Sequence, residues 1–522
     1  YGRNNNNNNR LPPVVRSARD DSMAIQHVRV HEEQQQQGYH QNDYTHDYNN
    51  NRGGYNNNNN TVDRHYGSSN NNNNNNNRRR RQLFKNINLD KMDENKGLTA
   101  LVVPISFSDH DERDVIDTED LVTLFTATEP DADICVTGSV NQYFLDNSND
   151  EVSLDAIVMD WIDLDDKYTE AYCAGGKSGL DSIVQECLKN ALTKVEEAMK
   201  DDMDEDEEDA FTWDDLDLDG NKVVDMVVFV HSGYGAEFGG TDHYNSFYTD
   251  RIWSHAWELD WPTTLGDGIV VNHYAMVSSL HGFSNRNIVR VGTLVHEIFS
   301  SLGLPVMYDG YNGQGIGSFD AMANSWGMDG TGHYPPMLSA WTRHALNWIE
   351  IIDIDTDGMY ELPASAITPR AFKISNGFPV GEYLLLENRQ AKSFDGDLAV
   401  GGLAVYHVDE DATWTEEGHP EQQGWPENGK HYRVALLSAE GSYAMEKNED
   451  RGDHFDLFRK GGRSSIGPDG ISPLPFGATE AKHPNTNTYQ DGVVKETGVR
   501  IFEIGFSEDL MTFEVSFDTE IN

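Results

Sequence analysis

His296-Glu297-Ile298-Phe299-Ser300-Ser301-Leu302-Gly303-Leu304-Pro305-Val306 is the stretch on which the reading of this chain turns. In an HExxH helix two imidazoles stand one turn apart on one face, and the glutamate between them deprotonates a metal-bound water. Here the first His and the Glu are in place, but Ser300 holds the position of the second His. Beyond the turn at Gly303, Val306 stands where a third ligand would follow. A neutral hydroxyl is a poor zinc ligand and an isopropyl group is none. His296 is therefore read as a remnant zinc ligand and Glu297 as a remnant general base. Val291, Leu294, Val295, Ile298 and Phe299 around them predict a long, mostly buried helix over 288–301. Ser318-Phe319-Asp320-Ala321-Met322 reads as a turn that places a methionine beneath the metal. His255, His281, His333 and Asp309 are the side chains that could replace the lost donors.

A second metal motif lies upstream, Asp215-Leu216-Asp217-Leu218-Asp219-Gly220-Asn221-Lys222-Val223-Val224-Asp225. Alternate aspartates aim carboxylates inward, Gly220 permits the tight bend, and Asn221 can offer its carbonyl: half of a calcium loop. The usual closing Glu is Met226, so Asp225 takes that role, and Asp215, Asp217, Asp219 and Asp225 are the expected ligands. Asp353-Ile354-Asp355-Thr356-Asp357-Gly358 repeats the pattern without a well-placed closing carboxylate and reads as a polar hairpin turn.

The 522 residues allow two or three domains. Residues 1–82 are Asn, Gln, Arg, Gly and Tyr with almost no aliphatic periodicity, too polar to offset ordering entropy, and are expected to be disordered. The first 81 residues hold 11 Arg and no Lys against 7 acidic side chains, which leaves 28 basic against 81 acidic in the rest, a balance of −53. Such a field excludes nucleic acid as a partner and favours multivalent cations, basic proteins or simple solubility. Arg78-Arg79-Arg80-Arg81 ends the leader, so cleavage after Arg81 would make it a propeptide. Three cysteines, Cys135, Cys173 and Cys187, permit one disulfide and leave one thiol. No apolar run is long enough for a membrane span, and a start at Tyr1 instead of Met fits removal of a signal peptide.

Order is expected from Gly97. Leu98–Phe107 reads as a buried strand, and Leu180–Lys200 as an amphipathic helix with Leu180, Val184, Cys187, Leu188, Ala191, Leu192, Val195 and Met199 on one face and Ser178 near its cap. Met226–Val230 and Gly268–Val277 are further strands, the second near a sheet edge. From Ile349 short alternating strands follow, such as Glu382–Glu387, Gly402–Val408, Tyr432–Leu437 and Met511–Phe517. No G-x-S-x-G elbow, P-loop or dinucleotide fingerprint is present.

Taken together, residues 98–517 resemble the immune inhibitor A group of secreted metallopeptidases. The resemblance rests on the opening strand LTALVVPISFSD, Gly138-Ser139-Val140, Val227–Gly235, Ile252-Trp253-Ser254-His255, the His296-Glu297 helix with Gly303-Leu304-Pro305, and Leu338-Ser339-Ala340-Trp341. Tyr383–Gln390 and Gly402–Glu410 extend it into the β part. It implies an α+β zincin-like domain over 97–348 with a mixed sheet, a β-rich, sandwich-like domain over 349–522, zinc chemistry, calcium for stability, an N-terminal propeptide, secretion and protein or peptide ligands. Zinc ligation carries over only at His296 and the general base only at Glu297. The leading expectation is a homologue that has lost zinc hydrolysis and acts by binding. The rivals are an active zinc endopeptidase with compensating ligands, and an acidic calcium-binding protein of the extracellular matrix.

Overall fold

The computed structural model describes residues 97–202, 213–284, 286–308, 313–412, 418–473 and 481–517. The asparagine-rich leader with Arg81, most of the acidic run after residue 200, and Asp309 lie outside them.

The first sheet contains β1 (Leu98–Ser106), β2 (Leu154–Val158), β3 (Ile162–Asp163), β4 (Val227–Tyr234), β5 (His255–Thr264), β6 (Val270–His281) and β7 (Asn287–Ile288). Its order is β2-β1-β4-β6-β5, with β3 on β1 and β7 on β6. β1, β2, β3, β4 and β6 run parallel, whereas β5 and β7 pair antiparallel with β6. The sheet is therefore mixed, as expected, and β6 lies one strand in from the edge formed by β5.

Both faces of this sheet are covered, which is why its central strands read as continuous apolar runs instead of alternating ones. Ala100 and Val102 of β1 point into one core with α1 (Thr118–Thr126), α2 (Val140–Ser148) and α5 (Val291–Ser301). Leu101, Val103 and Ile105 point into the opposite core with α3 (Glu170–Ala174) and α4 (Ile183–Asp202). The expected face of α4 is buried from Val184 through Met199. The helix begins later than the sequence suggested, because Asp181 accepts the Ile183 N–H at 2.9 Å. Ser178 donates to the Tyr248 carbonyl at 3.0 Å and caps nothing. A disulfide joins Cys173 on α3 to Cys187 on α4, and Cys135 stays free and buried. Closing a loop of that length stabilises the fold by about 3 kcal/mol in the chain-entropy view.

α5 likewise starts three residues later than expected, since Asn287 and Ile288 pair with β6 before the helix can begin. Phe299 on its buried side stacks on Phe144 with ring centroids 4.8 Å apart and meets Trp348 edge-on at 5.9 Å.

After α6 (Ala340–Ala345) come two five-stranded sheets. The first is ordered β13 (Val434–Leu436), β12 (Gly402–Asp409), β11 (Glu382–Arg389), β10 (Arg370–Ile374), β8 (Glu350–Asp353). The second is ordered β15 (Gly470–Ile471), β14 (Ile466–Gly467), β16 (Val499–Phe502), β17 (Leu510–Phe517), β9 (Gly358–Pro363). Leu384, Leu386, Leu403 and Val405 of the first sheet meet Ile501, Met511, Phe513 and Val515 of the second in one core. Tyr383, Leu385, Ala404 and Tyr406, on the other face of the same strands, join the core that holds α5. The β11–β12 pair is thus buried on both sides. The Asp353–Gly358 turn joins β8 and β9, which belong to different sheets, so it is a crossover and not the hairpin that its composition suggested.

Buried ions tie the two parts together. Arg389, 1 % exposed, donates to the Phe319 carbonyl at 2.9 Å, the Met337 carbonyl at 3.2 Å and Asp395 at 2.6 Å. Glu387 accepts from the Ala340 N–H, the Ser365 hydroxyl and the Tyr406 hydroxyl at 3.1, 2.7 and 3.0 Å. Removing one member of such a set strands its partner's charge in the interior, which costs several kcal/mol.

Candidate functional site

The polar face of α5 is Thr293, His296, Glu297 and Ser300, all partly exposed while Leu294, Val295, Ile298 and Phe299 are buried. The spacing i, i+3, i+4, i+7 puts the four on one side. Ser300 therefore occupies the same helix face as His296, one turn further on. The helix ends where Leu304 donates to the Phe299 carbonyl at 3.0 Å across Gly303, whose φ of 99° only glycine adopts without strain.

His296 is oriented from behind. Its Nδ1–H donates to the Ala321 carbonyl at 2.8 Å, which leaves Nε2 as the free nitrogen. Ala321 is held in turn by Asp320, fully buried, whose carboxylate accepts the Met322 N–H and the Ser339 N–H, both at 2.8 Å, and the Thr342 hydroxyl at 2.5 Å. The expected methionine turn is present, with Met322 buried and its carbonyl taking the Met307 N–H at 2.9 Å. Tyr308 stacks over the imidazole at 6.2 Å. Burial holds His296 below the usual histidine range, against the opposing effect of the Ala321 bond.

Glu297 keeps some contact with solvent, yet the protein around it pushes its carboxyl up to about 8, with the charge of Glu237 adding to the effect. Glu237, 5 % exposed, follows β4 and accepts the Ser254 hydroxyl at 2.8 Å and the Ser254 N–H at 3.2 Å. Its neighbour Phe238 packs edge-on to His281 at 4.8 Å and to Trp326 at 5.5 Å. Glu237 escaped the sequence reading because no metal or nucleophile motif contains it. The edge strand β5 lies beside α5.

Two of the histidines considered as replacement donors, His255 and His333, face hydrogen-bond partners elsewhere. His255 uses Nδ1 on the Trp253 carbonyl at 2.7 Å and Nε2 on the Tyr274 hydroxyl at 3.0 Å. His333 faces Arg290 at 3.3 Å, and His281 sits in the aromatic group with Phe238 and Trp326. Among the described residues, no set of three His, Cys, Asp or Glu donors includes His296. A single imidazole with a hydroxyl and an isopropyl group does not fit zinc, which needs about three protein ligands.

The described residues do bring together Asp217, Asp219 and Asp225, with carboxylate oxygens within 4.8 Å of one another. Asp215 lies in the 3-10 turn Trp213–Leu216, outside that group. Gly220 has φ 70°, and the Asp217 carboxylate receives the N–H groups of Asn221 and Lys222, each at 2.8 Å. Asp225 is fully buried; its Oδ2 takes the Leu218 N–H at 2.7 Å, while Oδ1 accepts no hydrogen bond. Burial pushes this carboxyl up to about 7, and Asp219 and Asp217 add to the shift. An orphaned buried oxygen beside two more carboxylates fits a hard cation with oxygen ligands, and calcium is one.

A third polar centre lies at the carboxyl ends of β1 and β4, where Ser232 Oγ meets His110 Nδ1 at 2.7 Å and His110 Nε2 stands 3.3 Å from Glu170. Ser232 and His110 are each 1 % exposed and Glu170 is 2 % exposed. No substrate reaches this serine, so the trio is internal structure.

The anchored His296-Glu297 pair thus stands on a helix packed against the mixed sheet. Residues 124–349 match the family model of the immune inhibitor A peptidase M6, catalytic domain, and β-rich sheets follow them. No curated protein matches the chain. No described helix is long and apolar enough to cross a membrane.

Burial pulls His255 down to about 4, against the Trp253 bond. Its folded value lies below the unfolded one of about 6.5, so the stability it contributes is complete above pH 6.5 and lost as pH falls towards 4, by up to about 3 kcal/mol. His255→Gln should flatten urea-measured stability across that window relative to the wild type. Parallel pH profiles for the two proteins would contradict the assignment.

Proposed function

We propose that the chain is a secreted homologue of the M6 metallopeptidases that no longer holds a catalytic zinc and acts by binding protein or peptide ligands in its old substrate cleft. The observation that carries this reading is Ser300, which stands on the His296 face at the position of the second imidazole. With Val306 beyond the turn, the chelate effect is gone. In this reading residues 1–82 are a leader cleaved after Arg81, residues 97–348 bind the ligand, and residues 349–522 support them.

A second reading, an active endopeptidase, has one observation in its favour: the Ala321 carbonyl still fixes the tautomer that a metal-binding His296 requires. In an active enzyme the zinc would supply Lewis acidity, and Glu297 would take the proton of the attacking water. Casein hydrolysis separates the two readings. We expect no activity above that of Glu297→Gln in added zinc, and zinc-dependent cleavage abolished by Glu297→Gln would overturn the proposal.

Calcium held by Asp217, Asp219 and Asp225 belongs to the same reading and serves stability, through a site that would otherwise bury repelling carboxylates. Asp225→Asn tests it more cleanly than a change at Asp217, which also holds two backbone N–H groups. Calcium at a hundredfold excess over its Kd adds about 2.7 kcal/mol. The wild-type melting temperature should rise by several degrees on adding calcium. Asp225→Asn should lose that rise and melt no lower than wild type in chelator, because a neutral amide is cheaper to bury than a carboxylate. An equal rise in both proteins would remove the assignment.

A further inference from the structure

The acidic loop does not stand alone: it is stitched to the hairpin that joins β5 and β6. Val270, the first residue of β6, donates to the Lys222 carbonyl at 3.0 Å and accepts the Val224 N–H at 3.0 Å. Over this length β6 has the exit of the acidic loop as its neighbour, since its pairing with β4 begins only at Ala275. At the hairpin tip, Gly266 lies flat against the Trp213 indole, so close that a methyl group there would overlap the ring. Trp213 opens the acidic loop, is 2 % exposed, and shares a core with Leu216, Val224, Leu265 and Ile269.

The hairpin also has a natural break. Its ladder is irregular between Glu258 and Thr263, which separates the pairs His255–Met276 to Glu258–His273 from the outer pairs Thr263–Val271 and Thr264–Val270. The outer part therefore depends on its own short ladder, the Leu265–Ile269 turn and the acidic loop. On its far side β5 is a sheet edge with no strand beyond it among the described residues, and its Trp257 and Trp261 are 40 % and 60 % exposed.

We propose that the Asp217, Asp219 and Asp225 loop is a calcium-operated clamp on the outer β5–β6 hairpin, so that the cation sets the order of the outer part of that edge strand. The inference rests on the calcium reading above and adds regulation to it. A second observation beyond the acidic cluster supports the ion: the Asp225 Oδ1, on a side chain with no solvent exposure, has no hydrogen-bond partner. With the ion bound, Lys222 to Asp225 are fixed, and Val270 is held between that segment and Thr264. Without it, repulsion among the carboxylates loosens the segment and the outer hairpin loses one of its three supports.

Hydrogen exchange of the full chain in calcium and in chelator, with calcium binding followed by calorimetry, tests the proposal. At calcium about tenfold above its Kd, openings that release the ion are suppressed about tenfold. Amides of residues 263–271 should therefore slow by about that factor, with β16 and β17 unchanged and no slowing in Asp225→Asn. Calcium that binds but slows only residues 213–226 would overturn the clamp and leave the calcium reading intact. No calcium binding at all would overturn both.

Discussion

The hydrogen bond from His296 Nδ1 to the Ala321 carbonyl organises the centre of this molecule. It fixes the ring, determines which nitrogen stays free, and links α5 to a turn that Asp320 and α6 hold in place. The same turn meets the β part, because Arg389 donates to the Phe319 carbonyl. The chain thus invests a buried carboxylate, a buried guanidinium and a methionine turn in positioning one imidazole. Support for a metal ligand persists where the neighbouring ligand positions carry a hydroxyl and a hydrocarbon. The chemistry of those two side chains decides what the site can hold, and the scaffold around it does not.

Much of the fold was legible because burial leaves a periodic trace. β1, β4 and β6 read as strands from continuous apolar runs, and both of their faces are covered. α4 and α5 read as helices from spacing, though each starts about one turn late for a local reason: a carboxylate cap at Asp181 in one, a short pairing of Asn287 and Ile288 in the other. Neither cause has a hydrophobic signature. The Asp353–Gly358 turn was misread because composition marks a turn without saying which strands it connects.

The candidate site was legible only where a motif names its residues. His296, Glu297 and the aspartates followed from spacing, but Asp215 was included by analogy with a regular loop, and the geometry leaves it out. Glu237 and the Ala321 carbonyl reach Glu297 and His296 from distant segments, and contacts that depend on tertiary approach leave no local pattern. One alternative donor is excluded for the same kind of reason. His255 is spent on the Trp253 carbonyl and the Tyr274 hydroxyl, a fact no sequence window contains.

Metal stoichiometry measured by mass spectrometry on protein purified without chelator addresses the central claim most directly. The account predicts zinc far below one equivalent per chain. One tightly held equivalent of zinc, lost on replacing His296 with alanine, would contradict it.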